Sequence, residues 1–239
     1  MKQRGFGQSI YAASAEKKER LGTVRIDSLG NLWRYARAGA AALNPGYLAM
    51  GEAIAAAHQN EAILAAVPVK TQALTLTVTA GTVIDANELD GGLFMINDGT
   101  AQGTAYEITG NSALAVGGTE VSISLARGIT EALDTTSEFT LVRSPFWGAI
   151  EDKDDLTLPM VGVTPIEVPA TYYYWTQRRG LACVLGDSTG ATIGQPVIQS
   201  NATAGSVEVC AAVTGGQVVG YLKYGTVSTE HSPIWLTIE

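Results

Sequence analysis

Leu74-Thr75-Leu76-Thr77-Val78-Thr79 alternates apolar and polar without a break. Strand side chains point to opposite faces in turn, so this run places Leu74, Leu76 and Val78 on one face and three threonines on the other. A helix would scatter both sets around its axis. Threonine and valine also suit a pleated, half-buried surface. The run therefore reads as a strand with one face in a core, and the chain on either side reads the same way. Toward the C-terminus, Gly91-Gly92 opens Leu93-Phe94-Met95-Ile96, and Asn97-Asp98-Gly99 is a turn. Ala105 to Thr109 is closed by Gly110-Asn111, Glu120 to Ala126 alternates again, and Phe139-Thr140-Leu141-Val142 precedes a break at Ser144-Pro145. Toward the N-terminus, Thr23 to Asp27 and Leu32 to Arg37 flank Ser28-Leu29-Gly30-Asn31, the pattern of a hairpin. In its second strand Trp33 and Tyr35 share a face directed at the core or at a partner. Short strands and turns at this spacing predict a mainly β fold, a β-sandwich or barrel-like body with little helix.

Composition bounds the rest. The chain has 239 residues, of which 46% are hydrophobic and 16% charged. The charged share is below the roughly 25% of an average domain, which excludes intrinsic disorder for the bulk of the chain. The longest uncharged apolar run, Ala62 to Val69, falls far short of the ~20 residues of a membrane helix. No membrane partner and no signal peptide are expected. The net charge is −8, but residues 1–25 hold six basic and two acidic side chains, a net +4. We read residues 1–21 as an extended basic N-terminal arm carrying Lys2, Arg4, Lys17, Lys18 and Arg20, reaching for an acidic partner or simply solvated. The acidic remainder opposes nucleic-acid binding, which needs clustered lysine and arginine.

Three domain-like stretches follow the arm. Residues 22–150 form a β-rich domain with an Ala-rich segment near 38–66, where a short helix is expected around 49–57 because alanine is the best helix former. Residues 151–170, rich in proline around Glu151-Asp152-Lys153-Asp154-Asp155, read as a linker or crossover, with a boundary near 150–165. Residues 171–239 read as a C-terminal β unit. Its strands are expected at Thr171–Gln177, Leu181–Leu185, Gln195–Gln199, Val207–Val213, Gln217–Tyr224 and Ile234–Ile238, with a hairpin at Thr214-Gly215-Gly216.

Chemistry-bearing motifs are sparse. Phosphate-cradling glycine loops and a nucleophile elbow are missing from the sequence. Gly186-Asp187-Ser188-Thr189 reads as a turn, and His58 and His231 lie far apart, too few for a histidine metal site. The acidic run 151–155 lacks the glycine and distant glutamate of an EF-hand loop. No cofactor, no metal and no enzymatic activity are expected. Cys183 and Cys210 lack CxxC spacing and read as small buried residues with free thiols.

The most pointed cluster is Tyr172-Tyr173-Tyr174-Trp175-Thr176-Gln177-Arg178-Arg179-Gly180. Aromatics followed by arginines are enriched at interface hot spots. The same stretch also fits a central strand covered on both faces by its own domain. The candidate interface residues are therefore Lys2, Arg4, Lys17, Lys18, Arg20, Trp33, Tyr35, Tyr172, Tyr173, Tyr174, Trp175, Arg178 and Arg179.

Three stretches together resemble the head decoration, or capsid cement, proteins of tailed bacteriophages. They are Leu21-Gly22-Thr23-Val24 through Gly30-Asn31-Leu32-Trp33-Arg34-Tyr35-Ala36-Arg37-Ala38-Gly39; Gly92 to Thr100 with Gly103 to Ile108 and Phe139 to Val142; and Tyr173 to Leu185 followed by Ile193-Gly194-Gln195-Pro196-Val197. The resemblance implies a structural virion protein, made in the host bacterial cytoplasm. It would sit on the capsid exterior and bridge subunits of the phage major capsid protein. It also implies self-association, a homotrimer in preference to a dimer. A tail, neck or fibre-like virion component with glycan binding is the other reading that the sequence leaves open.

Overall fold

Asp27 begins the fold's best-defined turn. Its Oδ1 accepts the backbone N–H groups of Leu29 (2.9 Å) and Asn31 (3.0 Å), and its Oδ2 accepts Asn31 Nδ2 (2.9 Å) and Trp33 Nε1 (3.1 Å). An aspartate serving its own turn in this way closes a hairpin. The strands it joins, β1 (Val24–Ile26) and β2 (Leu32–Arg37), pair antiparallel as the sequence predicts. The computed structural model describes residues 5–81, 83–151, 158–187, 190–210, 217–225 and 227–239. The expected hairpin at Thr214-Gly215-Gly216, the acidic run beyond Glu151, and Ser188 and Thr189 lie outside these residues.

The remaining strands follow in chain order. They are β3 (Leu48–Met50), β4 (Glu61–Ala62), β5 (Ala73–Thr77), β6 (Leu93–Asp98), β7 (Ala105–Asn111), β8 (Glu120–Leu125), β9 (Glu138–Val142), β10 (Met160–Val163), β11 (Tyr173–Leu185), β12 (Pro196–Gln199), β13 (Val207–Val209), β14 (Val218–Leu222) and β15 (His231–Thr237). Strands pair antiparallel in two sheets, and one sheet is nearly closed and barrel-like, so the mainly β expectation holds. The only helical piece among the described residues is a 3₁₀ turn at Ala56–His58. The helix expected around 49–57 is therefore corrected. Leu48, Ala49 and Met50 are all buried and pair with β10, so sheet pairing overrides alanine's helix preference.

The chain divides into two compact units, residues 1–52 with 145–239, and residues 53–144. This corrects the boundary expected near 150–165 and the separate C-terminal unit. Residues 158–170 contain β10, which pairs with both β3 and β11, so they are built into the first unit's sheet. The second unit is one continuous insertion between Glu52 and Pro145, and the Ser144-Pro145 break marks its end. Its sheet runs β4-β9-β6-β7-β8-β5 around a core that includes Leu74, Leu76, Phe94, Ile108 and Phe139.

The first unit's sheet runs β1-β2-β11-β15-β14-β12-β13. Its spine is β11, a single strand where the sequence suggested two. Gly180 explains the continuity. It sits at φ +98°, and a Cβ there would lie 1.9 Å from Asn31 Oδ1, so only glycine carries the strand past the register shift between Gln177 and Arg179.

The N-terminal stretch is not an extended arm over residues 5–21. It lies against the first unit and completes its aromatic core. Phe6 and Ile10 pack with Trp33, Tyr35, Trp147 and Trp175. Gln8 is buried, donating through Nε2 to the carbonyls of Ala12 (2.6 Å) and Tyr173 (2.9 Å) and accepting the Tyr35 hydroxyl (2.7 Å). Ser14 and Tyr173 exchange backbone hydrogen bonds of 2.9 and 2.8 Å. The basic side chains of this stretch suggested an arm, but Phe6, Gln8 and Ile10, which lie between Arg4 and Lys17, decide its place.

Candidate protein-binding face

The sequence-derived interface cluster is mostly interior. Lys2 and Arg4 lie outside the described residues. Trp33, Tyr35, Tyr174 and Trp175 are buried. Tyr173 and Trp175 meet Tyr35 on one face of β11, while Tyr174 joins a second core with Ala36, Leu43 and Val168 on the other. Of the two readings of the aromatic run, the structure has the strand covered on both faces. Burial pushes the Tyr174 hydroxyl far above the ordinary phenol range, with Glu151 adding to the effect. Tyr172 is half-buried against that second core.

Arg178 is an internal brace. Its guanidinium donates to the carbonyls of Met160 and Val161 and pairs with Glu239, which Arg34 also holds at 2.8 Å. Burial lowers the Arg178 pKa, opposed by Glu239. Lys17 is half-buried, whereas Lys18, Arg20 and Arg179 are exposed. Lys18 pairs with Glu16. Cys183 and Cys210 are free thiols, but Cys183 is exposed and Cys210 half-buried, which corrects their assignment to the core. Cys183 falls on the outward phase of β11, opposite Ala182 and Val184.

That outward phase carries the face the sequence reading missed. On β11, Leu181 pairs with Trp235 of β15, and Trp235 pairs with Tyr221 of β14. Register therefore sets three large apolar side chains in one row across three adjacent strands. They are 53%, 45% and 44% exposed. Behind them Ala182, Val184, Leu222, Ile234 and Leu236 fill the core, so the strands bearing the row are anchored from within. Lys223 Nζ lies 5.5 Å from the Trp235 ring centroid, and Arg179 sits one outward step from Leu181, paired with Thr237. Two cations thus lie beside the row, on a chain whose net charge is −8.

The row continues into a cleft of about 510 Å³, whose walls include Leu181, Cys183, His231, Tyr11 and Leu29. Leu29, at the tip of the Asp27 hairpin, is 85% exposed. Burial raises the Asp27 carboxyl, but its hydrogen bonds from Asn31, Trp33 and Leu29 together hold it below the ordinary aspartate value. Asp27 is thus an anionic brace for the hairpin. His231 Nε2 lies 3.1 Å from the Pro45 carbonyl.

An exposed row of Trp, Tyr and Leu on a rigid sheet is suited to bury apolar area against another protein. A signal for it was present: in Pro233-Ile234-Trp235-Leu236-Thr237 the tryptophan has the opposite phase from the aliphatic pair. Among the described residues, no three His, Cys, Asp or Glu side chains are grouped to hold a metal ion. Comparison of the chain with family models, with curated proteins and with solved structures finds no match.

Proposed function

We propose that the protein is a structural virion component that binds the outer surface of a phage capsid and bridges subunits of its major capsid protein. The observation that carries the proposal is the Leu181–Trp235–Tyr221 row. It is an exposed apolar row with aromatic anchors, backed by a core and leading to a cleft edged by Leu29 and Tyr11. The three capsid-decoration-like sequence stretches support the same reading. Two of them supply the β1–β2 hairpin and β11, the elements that frame this face. Repeated over a symmetric shell, such modest contacts add through avidity, and a ligand that binds only the assembled shell stabilises it by mass action.

The test is co-sedimentation with undecorated heads. The wild type should saturate at a copy number set by the shell's symmetry, and heads carrying it should resist heat better. Absence of saturable binding would refute the proposal and favour a tail or fibre-like role.

A further inference from the structure

β5 is the last strand in the order of the second unit's sheet, and a groove separates its outer edge from residues 62–68. Among the described residues β5 pairs only with β8, in the register Ala73↔Ser124 to Thr77↔Glu120. Bonds just outside the strand fix which way its backbone points. Leu125 donates to the Gln72 carbonyl (2.8 Å) and Val78 donates to the Thr119 carbonyl (2.8 Å). Hydrogen-bonded pairs alternate along an antiparallel ladder, so even-numbered residues of β5 face β8. The N–H and C=O groups of Ala73, Thr75 and Thr77 therefore point outward, and they have no backbone partner among the described residues. Beside this edge lies a groove of about 280 Å³, bordered by Leu64, Ala65, Ala66 and Pro68 and lined wholly by uncharged residues. Leu64 is 67% exposed.

Edge strands usually carry a charge, a proline or a bulge that discourages pairing. Thr71 to Thr79 has none: Thr71-Gln72-Ala73-Leu74-Thr75-Leu76-Thr77-Val78-Thr79 holds no charge and no proline, and the β5–β8 register is unbroken. From this we infer that β5 is an interface between two copies of this chain, pairing antiparallel with its own symmetry mate across a two-fold axis at Thr75.

The edge is complementary to itself. A two-fold at Thr75 sets Ala73 opposite the mate's Thr77 and Thr75 opposite its counterpart. Each outward residue then exchanges both backbone bonds with one residue of the mate. Thr–Thr and Thr–Ala pairs face each other on the exposed side, and threonine pairs are among the favourable cross-strand contacts. Charge agrees with this direction. Lys70 precedes the strand, and Glu120 lies beside its far end. Antiparallel pairing brings the Lys70 end of each copy toward the Glu120 end of the other. Parallel pairing would align like charges. The resemblance left a dimer open beside a trimer, and this edge selects the dimer. The inference does not depend on capsid binding.

Sedimentation velocity and light scattering of the full chain, without heads, test it. The wild type should have twice the 25.0 kDa chain mass at micromolar concentration. Thr75→Pro removes only an outward N–H, and proline is tolerated on an edge strand, so this variant should be a monomer with an unchanged far-UV spectrum. Thr75→Lys sets like charges face to face across the axis and should raise the dimer dissociation constant at least ~10-fold. It remains decisive if the proline variant unfolds. A monomeric wild type, a wild type of any other mass, or a lysine variant that dimerises as tightly as the wild type would overturn the inference.

Discussion

Replacing Gln8 by alanine tests whether the N-terminal stretch is part of the fold. Gln8 is 7% exposed and uses both ends of its amide. The variant loses two N–H···O bonds, to the carbonyls of Ala12 and Tyr173, and leaves the Tyr35 hydroxyl without the acceptor it reaches at 2.7 Å. Tyr173 O keeps the Ser14 N–H, and the Tyr35 oxygen keeps the N–H of Lys18 at 3.1 Å, so those two acceptors are not orphaned. The buried hydroxyl donor dominates. An unsatisfied buried group costs about 1–3 kcal/mol, and the lost bonds add about 0.5–1.5 kcal/mol each. Allowing for relaxation, the variant should lose about 2–4 kcal/mol. For a unit of this size, at about 2–4 °C per kcal/mol, that lowers Tm by about 4–16 °C. Urea unfolding followed by tryptophan fluorescence reads the change, because Trp33, Trp147 and Trp175 all lie in the core that Gln8 closes. Limited proteolysis should also cut within residues 1–21 faster in the variant. A stability loss below ~0.5 kcal/mol, together with unchanged proteolysis, would show that residues 5–21 do not pack as described.

Three other perturbations follow from the geometry. Gly180→Ala places a Cβ against Asn31, whose side chain is already committed to Asp27. The strained φ and the broken turn should together cost about 2–4 kcal/mol in thermal or urea unfolding, and a neutral variant would contradict the bulge. Trp235→Ala should weaken binding to undecorated heads at least ~10-fold while shifting Tm by less than the Gln8 variant; equal binding would remove the row from the interface. Burial, and secondarily Arg143, hold the buried His58 below the ordinary histidine value, against Glu61. The unfolded chain then takes up a proton below pH ~6.5 that the folded chain refuses, so stability is full above that pH and falls as the pH drops toward the depressed folded value. The wild type should therefore lose stability more steeply than His58→Gln as the pH falls below ~6.5, and equal slopes would exclude His58 as the cause.

Alternation made the strands legible, because it is a property of neighbours in sequence. Leu74 to Thr79, Leu32 to Arg37 and Ala105 to Thr109 all lie on or next to strands of the expected kind. Pairing is not such a property. Leu48-Ala49-Met50 has no alternation to distinguish a fully buried strand from a helix turn, and only the docking of β10 beside it decides. The division into units failed for a related reason. Proline density marked residues 151–170 as a linker, but Pro159 and Pro165 lie on either side of β10. The true boundaries, after Glu52 and before Pro145, bracket an insertion whose two ends are remote in sequence, and one of them has no local signature at all.

The binding face shows why the arginine and tyrosine cluster misled. Composition identifies residues able to anchor an interface, but a side chain binds a partner only if its own sheet leaves it uncovered. Tyr174 and Trp175 are on opposite faces of β11, and both faces are covered there, by β3 and β10 neighbours on one side and by Phe6 and Ile10 on the other. The one-residue register shift between Gln177 and Arg179 swaps the strand's faces, so Leu181, six residues beyond Trp175, has the phase of Tyr174 and lies past the core that covers Tyr174. The strand thus changes from interior to surface along its length. Its exposed half meets β15 and β14, where Trp235 and Tyr221 have the same outward phase. Trp235 is 54 residues from Leu181 in sequence, so no local window joins them, and the row exists only once the register of three strands is known. The same argument governs β5, whose sequence announces a strand but not that its second edge has no strand paired to it among the described residues.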